Sequence, residues 1–99
     1  MPTYLLTFRF AANPSQASRQ QSVIDRLQAG DWWAETGTTM VIRDERELDE
    51  FCLEVLDQSE FDPMTDIAVV FDLDLRDGRA RGGFVDINLF HIVPWLERT

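Results

Sequence analysis

The chain contains no lysine: all nine basic residues among its 99 are arginine. The absence of lysine excludes a Walker-type phosphate loop, a Schiff-base lysine and a serine–lysine catalytic pair. A single cysteine, Cys52, and a single histidine, His91, exclude a disulfide within the chain and the usual cysteine–histidine zinc sites. Neither a signal-peptide pattern nor an apolar run of about 18 residues is present. We therefore expect a cytoplasmic protein that does not insert into a membrane.

Hydrophobic residues make up 44% of the chain and charged residues 27%, which is typical of a folded globule. Its length predicts a single domain over residues 1–99. The 18 acids and nine bases give a net charge of −9. Nucleic-acid-binding surfaces are usually basic, so we do not expect a nucleic-acid partner. A negative chain suits a basic protein partner, or its charge simply maintains solubility.

The first 30 residues predict a buried strand followed by a helix. Residues 3–10 are apolar and β-branched with no breaker among them. Asn13 followed by Pro14 is a helix-start signal, and Gly30 is a stop signal for a helix that runs to about residue 29. The spacing of apolar residues predicts that its inner face consists of Ala17, Ile24 and Leu27, with Val23 at the margin.

The next segment predicts a hairpin and then a strongly amphipathic helix. Residues 32–35 and 38–43 have strand composition and are separated by Thr36-Gly37. Asp44 and Glu47 have the spacing of a capping box, which predicts where the helix begins. The apolar stripe behind that start consists of Leu48, Phe51, Cys52, Val55 and Leu56. Cys52 is therefore expected to be a buried core residue of low reactivity.

The C-terminal third predicts a second hairpin. Residues 66–76 are the most β-prone part of the chain, residues 77–83 have turn composition, and residues 84–93 form the predicted return strand. His91 would lie on that strand among apolar residues, which favours a role in the core or an interface over catalysis.

The resulting order is β-α-β-β-α-β with an added C-terminal strand, which predicts an α+β, ferredoxin-like sandwich. The run GDWWAETGTTMVIR, followed by DERELDEFCLEVLD and TDIAVVFDL, resembles the small SinR-like proteins of ferredoxin-like fold. The layout of residues 3–75 is also similar to that of the CRISPR-associated adaptation nucleases, which dimerise through their sheets. Those nucleases have a metal-binding aspartate at the end of the first strand. The corresponding stretch here is Thr7-Phe8-Arg9-Phe10, and an arginine at that place repels a divalent cation.

Three aspartates are candidate metal ligands. Asp72 and Asp74 alternate along the predicted strand and so share one face, and Asp86 lies on the predicted partner strand. Three carboxylates of this kind would suit magnesium or calcium. The alternative is that they form a solvated face that discourages edge-to-edge aggregation. Apart from such a divalent metal, the sequence predicts no cofactor.

Three arginines form the only local basic cluster. Arg76, Arg79 and Arg81 lie in or beside the predicted turn, together with the free amides of Gly82 and Gly83. Guanidinium groups and amides of this kind can bind a phosphate or a carboxylate. The alternative is that these arginines pair with neighbouring aspartates at a mobile hairpin tip.

Three tryptophans, Trp32, Trp33 and Trp95, are candidate interface residues. The adjacent Trp32 and Trp33 must point to opposite faces of a strand, so at least one ring is not in the core. Aromatic residues are enriched at protein interfaces, and a homodimer is the simplest explanation. Base stacking is the nucleic-acid alternative, and the negative charge opposes it.

Three functions remain open. The first is a non-catalytic, dimeric protein-interaction module, which is favoured because no catalytic set is evident and the chain is therefore not expected to be an enzyme. The second is a metal-dependent nuclease of the CRISPR-associated ferredoxin-fold type that uses Asp72, Asp74 and Asp86. The third is an acidic inhibitor or immunity-type protein that binds a basic partner.

Overall fold

The computed structural model describes residues 1–27 and 31–99 and has an α+β architecture. Within these residues six strands form one mixed sheet that is accompanied by three helices. The strands are β1 (Thr3–Arg9), β2 (Trp32–Trp33), β3 (Thr39–Arg43), β4 (Ile67–Asp72), β5 (Asp77–Gly82) and β6 (Glu97–Arg98). The helices are α1 (Gln16–Ile24), α2 (Leu48–Cys52), which continues as a π-helical turn over Leu53–Asp57, and α3 (Asn88–Ile92).

The strands lie in the order β2-β3-β1-β4-β5-β6, with β1 near the centre. Every neighbouring pair is antiparallel except β5 and β6, which are parallel. Leu6 lies opposite Met40 of β3 on one side and opposite Val70 of β4 on the other. The predicted first strand and the predicted hairpin of β2 and β3 are confirmed.

The main core lies between one face of the sheet and the helices α1 and α2, and we call this face the helix face. Alternate residues of β1, namely Tyr4, Leu6 and Phe8, point into this core. All five residues of the stripe predicted for the second helix are buried there. Their burial confirms the amphipathic pattern, because side chains at this spacing share one side of a helix.

The prediction for α1 is partly wrong. Ile24 and Leu27 pack against the core as predicted, but Val23, which was predicted at the margin, is the fully buried apolar residue of the helix. Ala17 is exposed, and Arg19 is buried instead. Arg19 is buried because it forms an ion pair with Asp66, which also has no exposed surface. The predicted helix end, at residue 29 with Gly30 as the stop, lies outside the described residues.

The capping box predicted for α2 is wrong. The helix begins after Glu47, and no side chain caps its first turn. Asp44 is instead fully buried, and its carboxylate accepts hydrogen bonds from the Arg46 amide at 2.9 Å and from the Arg46 guanidinium. A carboxylate that an arginine two residues away can reach satisfies its hydrogen bonds locally and is not available to a helix start.

The second predicted hairpin is shifted along the chain. Residues 73–76 form the turn, and strand β5 instead occupies residues 77–82 of the turn predicted over residues 77–83. Gly78 marks a close approach, since a Cβ atom there would lie 2.9 Å from both Leu96 Cδ1 and the Val70 carbonyl oxygen. Glycine therefore permits tight packing within strand β5, although the composition of residues 77–83 is typical of turns.

The predicted strand over residues 84–93 is also wrong. That stretch contains a loop and the short helix α3, and His91 is exposed on this helix and not aligned with a row of strand residues. The segment after β5 packs on the face opposite α1 and α2, where Val69, Ala80 and Leu96 are buried. Phe84 and Phe90 contact each other edge to face, and the guanidinium of Arg98 lies 5.3 Å from the centre of the Phe90 ring. The helices in the described part of the chain are all too short or too polar to cross a membrane.

Candidate functional site

The sheet face opposite α1 and α2 is covered unevenly. The C-terminal segment packs against β4 and β5, whereas over β2, β3 and β1 the side chains on this face stay accessible. Strand register aligns Trp33 with Val41, Val41 with Leu5, and Leu5 with Phe71 of β4. The neighbouring row contains Thr39 and Thr7, whose hydroxyl oxygens lie 3.3 Å apart. We call the residues Leu5, Thr7, Trp33, Thr39 and Val41 the open face.

A shallow cleft of about 270 Å³ lies at the outer edge of the open face. Its walls are formed by Thr3, Trp32, Trp33 and Val41 together with the Arg43–Asp31 ion pair, whose charged atoms are 3.7 Å apart. Both charged side chains are largely exposed, so this pair contributes little to stability. The open face is therefore an apolar and hydroxyl-bearing surface with a polar rim, which is the usual organisation of a protein interface.

The three tryptophans lie on different surfaces. Trp33 belongs to the open face and is 45% exposed, while Trp32 aligns with Ile42 on the helix face and is 41% exposed. The prediction that these two rings point to opposite faces is confirmed. Trp95 is partly buried and packs edge to face on Phe71, with ring centres 6.0 Å apart. Only Trp33 of the three is therefore aligned with the open face.

The three candidate metal ligands are not brought together. Asp72 ends β4 on the helix face, whereas Asp74 lies in the turn and accepts a hydrogen bond from the Thr3 amide at 3.2 Å. Asp86 lies in the loop after β5, where it lines a cleft with Ile67 at the opposite end of β4. A six-residue strand separates those ends by about 16 Å. In residues 1–27 and 31–99 no three histidine, cysteine, aspartate or glutamate side chains are placed to hold a metal ion.

The three candidate anion-binding arginines are also separated. Arg76 is exposed in the turn, whereas Arg79 and Arg81 lie on β5 and point to the helix face. Arg79 donates hydrogen bonds to Asp49 at 2.8 Å and to Asp77 at 2.6 Å, and Arg81 donates to Asp57 at 3.0 Å. These bonds connect β5 to α2 and to the turn after it.

The electrostatics of Arg79 and Arg81 are consistent with this connecting role. Burial alone lowers the pKa of Arg79, but its hydrogen bonds to Asp49 and Asp77 more than offset this effect and raise the pKa above its ordinary value. In Arg81 the buried Nη1 atom has no hydrogen-bond partner among the described residues. The charge of Arg79 is therefore directed to carboxylates of the chain itself.

The remaining sequence candidates lie apart from one another. Arg9 is exposed at the end of β1, on the same side of the sheet as the open face. Cys52 is fully buried in the main core, and this burial raises the pKa of its thiol to about 12. The thiol therefore stays protonated at neutral pH and does not act as a nucleophile.

Sequence reasoning missed the two buried carboxylates. Asp66 accepts hydrogen bonds from the amides of Ala11 and Asp62, at 2.8 and 2.9 Å, and pairs with Arg19. Asp44 is held by Arg46 in a similar way. The signals in the sequence were the positions of the two aspartates. Asp66 lies directly before β4, and Asp44 lies directly after β3, with Arg46 two residues later. Both carboxylates are fully buried and do not line an open site.

No protein-family model matches the chain, and neither a curated protein nor a solved structure matches it. The resemblance to SinR-like proteins therefore stays a prediction from the sequence motifs.

Proposed function

We propose that the chain is a non-catalytic protein-interaction module that forms a homodimer through its open face. The observation that carries the proposal is the apolar row Trp33–Val41–Leu5 on a part of the sheet that the described residues leave accessible. Burying such a row against another protein surface is favourable, and aromatic residues such as Trp33 contribute most to interfaces of this kind.

The charge distribution supports a second copy as the partner at this face. Residues 44–62 contain nine acids and one arginine, a net charge of −8, whereas the other 80 residues contain nine acids and eight arginines, a net charge of −1. This acidic segment comprises α2 and its flanks, which pack on the helix face. Two copies that meet through their open faces therefore keep their acidic segments apart, and the repulsion between them is reduced.

The size of the interface requires α3 to take part. Three strands of about five residues present on the order of 250 Å² of sheet, which is less than the roughly 800 Å² per partner that a stable complex buries. Helix α3 lies on the same side of the sheet. Ile92 at its end is 70% exposed, and Ile87, the residue directly before the helix, is 54% exposed. We therefore include these two residues in the proposed interface.

We propose a ferredoxin-like fold for residues 3–72, followed by β5, α3 and β6 as additions. The strand order β2-β3-β1-β4, the antiparallel pairing within it and the packing of α1 and α2 on one face support this assignment. The nuclease alternative gains no support, because Asp72, Asp74 and Asp86 are apart. A cytoplasmic location is proposed on the sequence argument alone.

The test compares the two adjacent tryptophans, which have similar size and exposure but lie on opposite faces. Sedimentation equilibrium between about 1 and 100 µM measures the dimer dissociation constant for the chain and for each alanine variant. We expect Trp33→Ala to weaken the dimer about 30-fold, which corresponds to a loss of about 2 kcal/mol, and Trp32→Ala to change it less than about threefold. A monomer throughout this range, or equal effects of the two variants, would contradict the proposal.

A further inference from the structure

The C-terminal segment forms a step on the side of the sheet that carries the open face. Helix α3 and the loop before it pack over β4 and β5 through Phe84, Leu89 and Phe90, whereas the described residues leave β2, β3 and β1 accessible on this side. A helix with its side chains is about 10–12 Å across, and three strands span roughly 10–14 Å of sheet. The open strip is therefore about as wide as one helix.

The outer surface of the step is apolar. Val85, in the loop before α3, is 92% exposed, and Ile87 and Ile92 are also exposed. Leu89 and Phe90 pack inwards on the cluster below the helix. An exposed apolar step thus lies beside an exposed apolar strip, and α3 of a second copy that occupied the open face would bury both surfaces at once.

A groove separates the open face from α3. Two clefts of about 320 and 140 Å³ form this groove, and both are lined by Arg9 and Ile67. The groove extends from Thr7 of the open face to Leu89 on α3. We call it the central groove. A twofold axis along the central groove places α3 of each copy over the open face of the other, because the rotation exchanges the two sides of the groove.

The two sides of the central groove carry opposite charges. Arg9 lies at the end of β1, and Asp86 lies in the loop before α3. Both are exposed, and neither forms an ion pair with a described residue; Asp86 accepts a hydrogen bond from the Asn88 amide at 2.9 Å. After the twofold rotation Arg9 of each copy faces Asp86 of the other. The charges beside the groove therefore complement a second copy.

We propose that α3 of a second copy occupies the open face, so that each copy covers the open face of the other. This inference rests on the homodimer proposed above and specifies how its copies fit together. Ile87 and Ile92 pack on the open face of the other copy, and Arg9 and Asp86 pair across the central groove. The two sheets then enclose a shared layer of two α3 helices. The acidic segments, on the helix faces, lie on the outer surfaces of the dimer.

The test mixes two charge-reversed variants, because only contacts between copies can restore the charge pairing in a mixture. Arg9→Asp and Asp86→Arg each bring like charges together twice in a homodimer. In an equimolar mixture of the two variants, each reversed charge meets an opposite charge on the other chain. Arg76→Asp is the matched control for Arg9→Asp, since it changes the net charge equally and Arg76 is exposed in the turn at the other end of β4.

Sedimentation equilibrium at physiological salt measures the dissociation constants of the homodimers and of the mixed dimers. An exposed ion pair stabilises little, but opposed like charges are costly, so we expect each reversal at the groove to weaken the homodimer about 30-fold. The mixed dimer of Arg9→Asp with Asp86→Arg should be within about twofold of the unchanged chain. The mixed dimer of Arg76→Asp with Asp86→Arg retains one repulsive contact and should stay about fivefold weaker than the unchanged chain. Arg76→Asp alone should change the homodimer less than about twofold.

Equal affinities of the two mixed dimers, or groove variants that dimerise as well as the unchanged chain, would overturn this inference. If Trp33→Ala still weakened the dimer in that case, the homodimer through the open face would stand and only the arrangement of its copies would differ. A monomer in every sample would contradict both proposals.

Discussion

Two carboxylates, Asp44 and Asp66, are fully buried, and each is held by an arginine and by backbone amides. Burial by itself raises the pKa of each carboxyl. The hydrogen bonds of Arg46 at Asp44, and those of the Ala11 and Asp62 amides and of Arg19 at Asp66, more than offset this effect. Both pKa values therefore lie below the ordinary value of 3.8.

These two groups give the folded state a defined acid sensitivity. Because their pKa values are lower in the folded chain, the unfolded chain binds more protons as the pH falls. Their contribution to stability is full above about pH 4 and is lost as the pH falls through the folded pKa values. We expect the urea midpoint to be nearly constant from pH 7 to 5 and to fall below about pH 4. Asp44→Asn should reduce this fall, and the exposed Asp86→Asn should not; an identical acid profile for all three proteins would contradict this account.

The ion pair of Arg19 with Asp66 is tested by removing the cation alone. Arg19→Met leaves a buried carboxylate with its amide donors but no positive partner, so we expect a loss of about 3 kcal/mol in the free energy of unfolding. Arg26→Met is the control, because Arg26 is exposed in the turn after α1. Urea denaturation at pH 7 measures both variants. A loss of less than about 1 kcal/mol for Arg19→Met would show that the pair does not stabilise the fold.

Single-residue burial was only partly predictable from the sequence. The spacing of apolar residues correctly identified Phe51 and Cys52 as core residues, because a helix places such positions on one side. Arg19 was missed because its burial depends on Asp66, which is 47 residues away in the chain. The pattern of neighbouring residues cannot predict a pairing between residues so far apart in the chain.

At the scale of elements, the two faces of the sheet are packed very differently. The helix face has a continuous core that extends from Tyr4 to Val70 and includes α1 and α2. On the opposite face the buried hydrophobic cluster consists of Val69, Ala80 and Leu96, with partly buried aromatic rings around them. The C-terminal segment is therefore expected to open more readily than the helices on the other side.

Two phenylalanines test this difference between the faces. Phe51 is fully buried and lies against Tyr4, with ring centres 4.8 Å apart, whereas Phe90 is partly buried under Arg98. We expect Phe51→Ala to reduce the free energy of unfolding by about 3–5 kcal/mol and Phe90→Ala by less than about 1.5 kcal/mol. Urea denaturation at pH 7 provides the comparison, and equal losses would show that the two clusters are comparably packed.

The sequence predicted an element correctly where local composition and tertiary packing favour the same secondary structure, as in β1 and in the hairpin of β2 and β3. It failed at β5, because Gly78 and Gly82 are typical of turns whereas here they allow close backbone packing. The strand is further held by Arg79 and Arg81, whose partners Asp49 and Asp57 are on or beside α2. Because residues 77–83 were predicted to be a turn, the strand that returns beside β4 was wrongly predicted at residues 84–93.

At the scale of the whole molecule, charge and apolar surface are segregated. The acidic segment of residues 44–62 lies with α2 against the helix face, and the open face lies on the other side of the sheet. The candidate metal ligands and the candidate anion-binding arginines are not brought together, because Asp86 lies at the opposite end of β4 from Asp72 and Arg76 lies in the turn before the strand that carries Arg79 and Arg81. Exposure and strand register, which only the folded chain provides, identify the open face instead.

The central claim is that two copies meet through the open face. Isotope-filtered NOE spectroscopy on a mixture of ¹³C-labelled and unlabelled chains detects only contacts between copies. The account predicts intermolecular NOEs from the methyl groups of Leu5 and Val41 to the Trp33 ring or to Ile92 of the other copy. Intermolecular NOEs confined to α2, or none at a concentration where sedimentation shows a dimer, would contradict it.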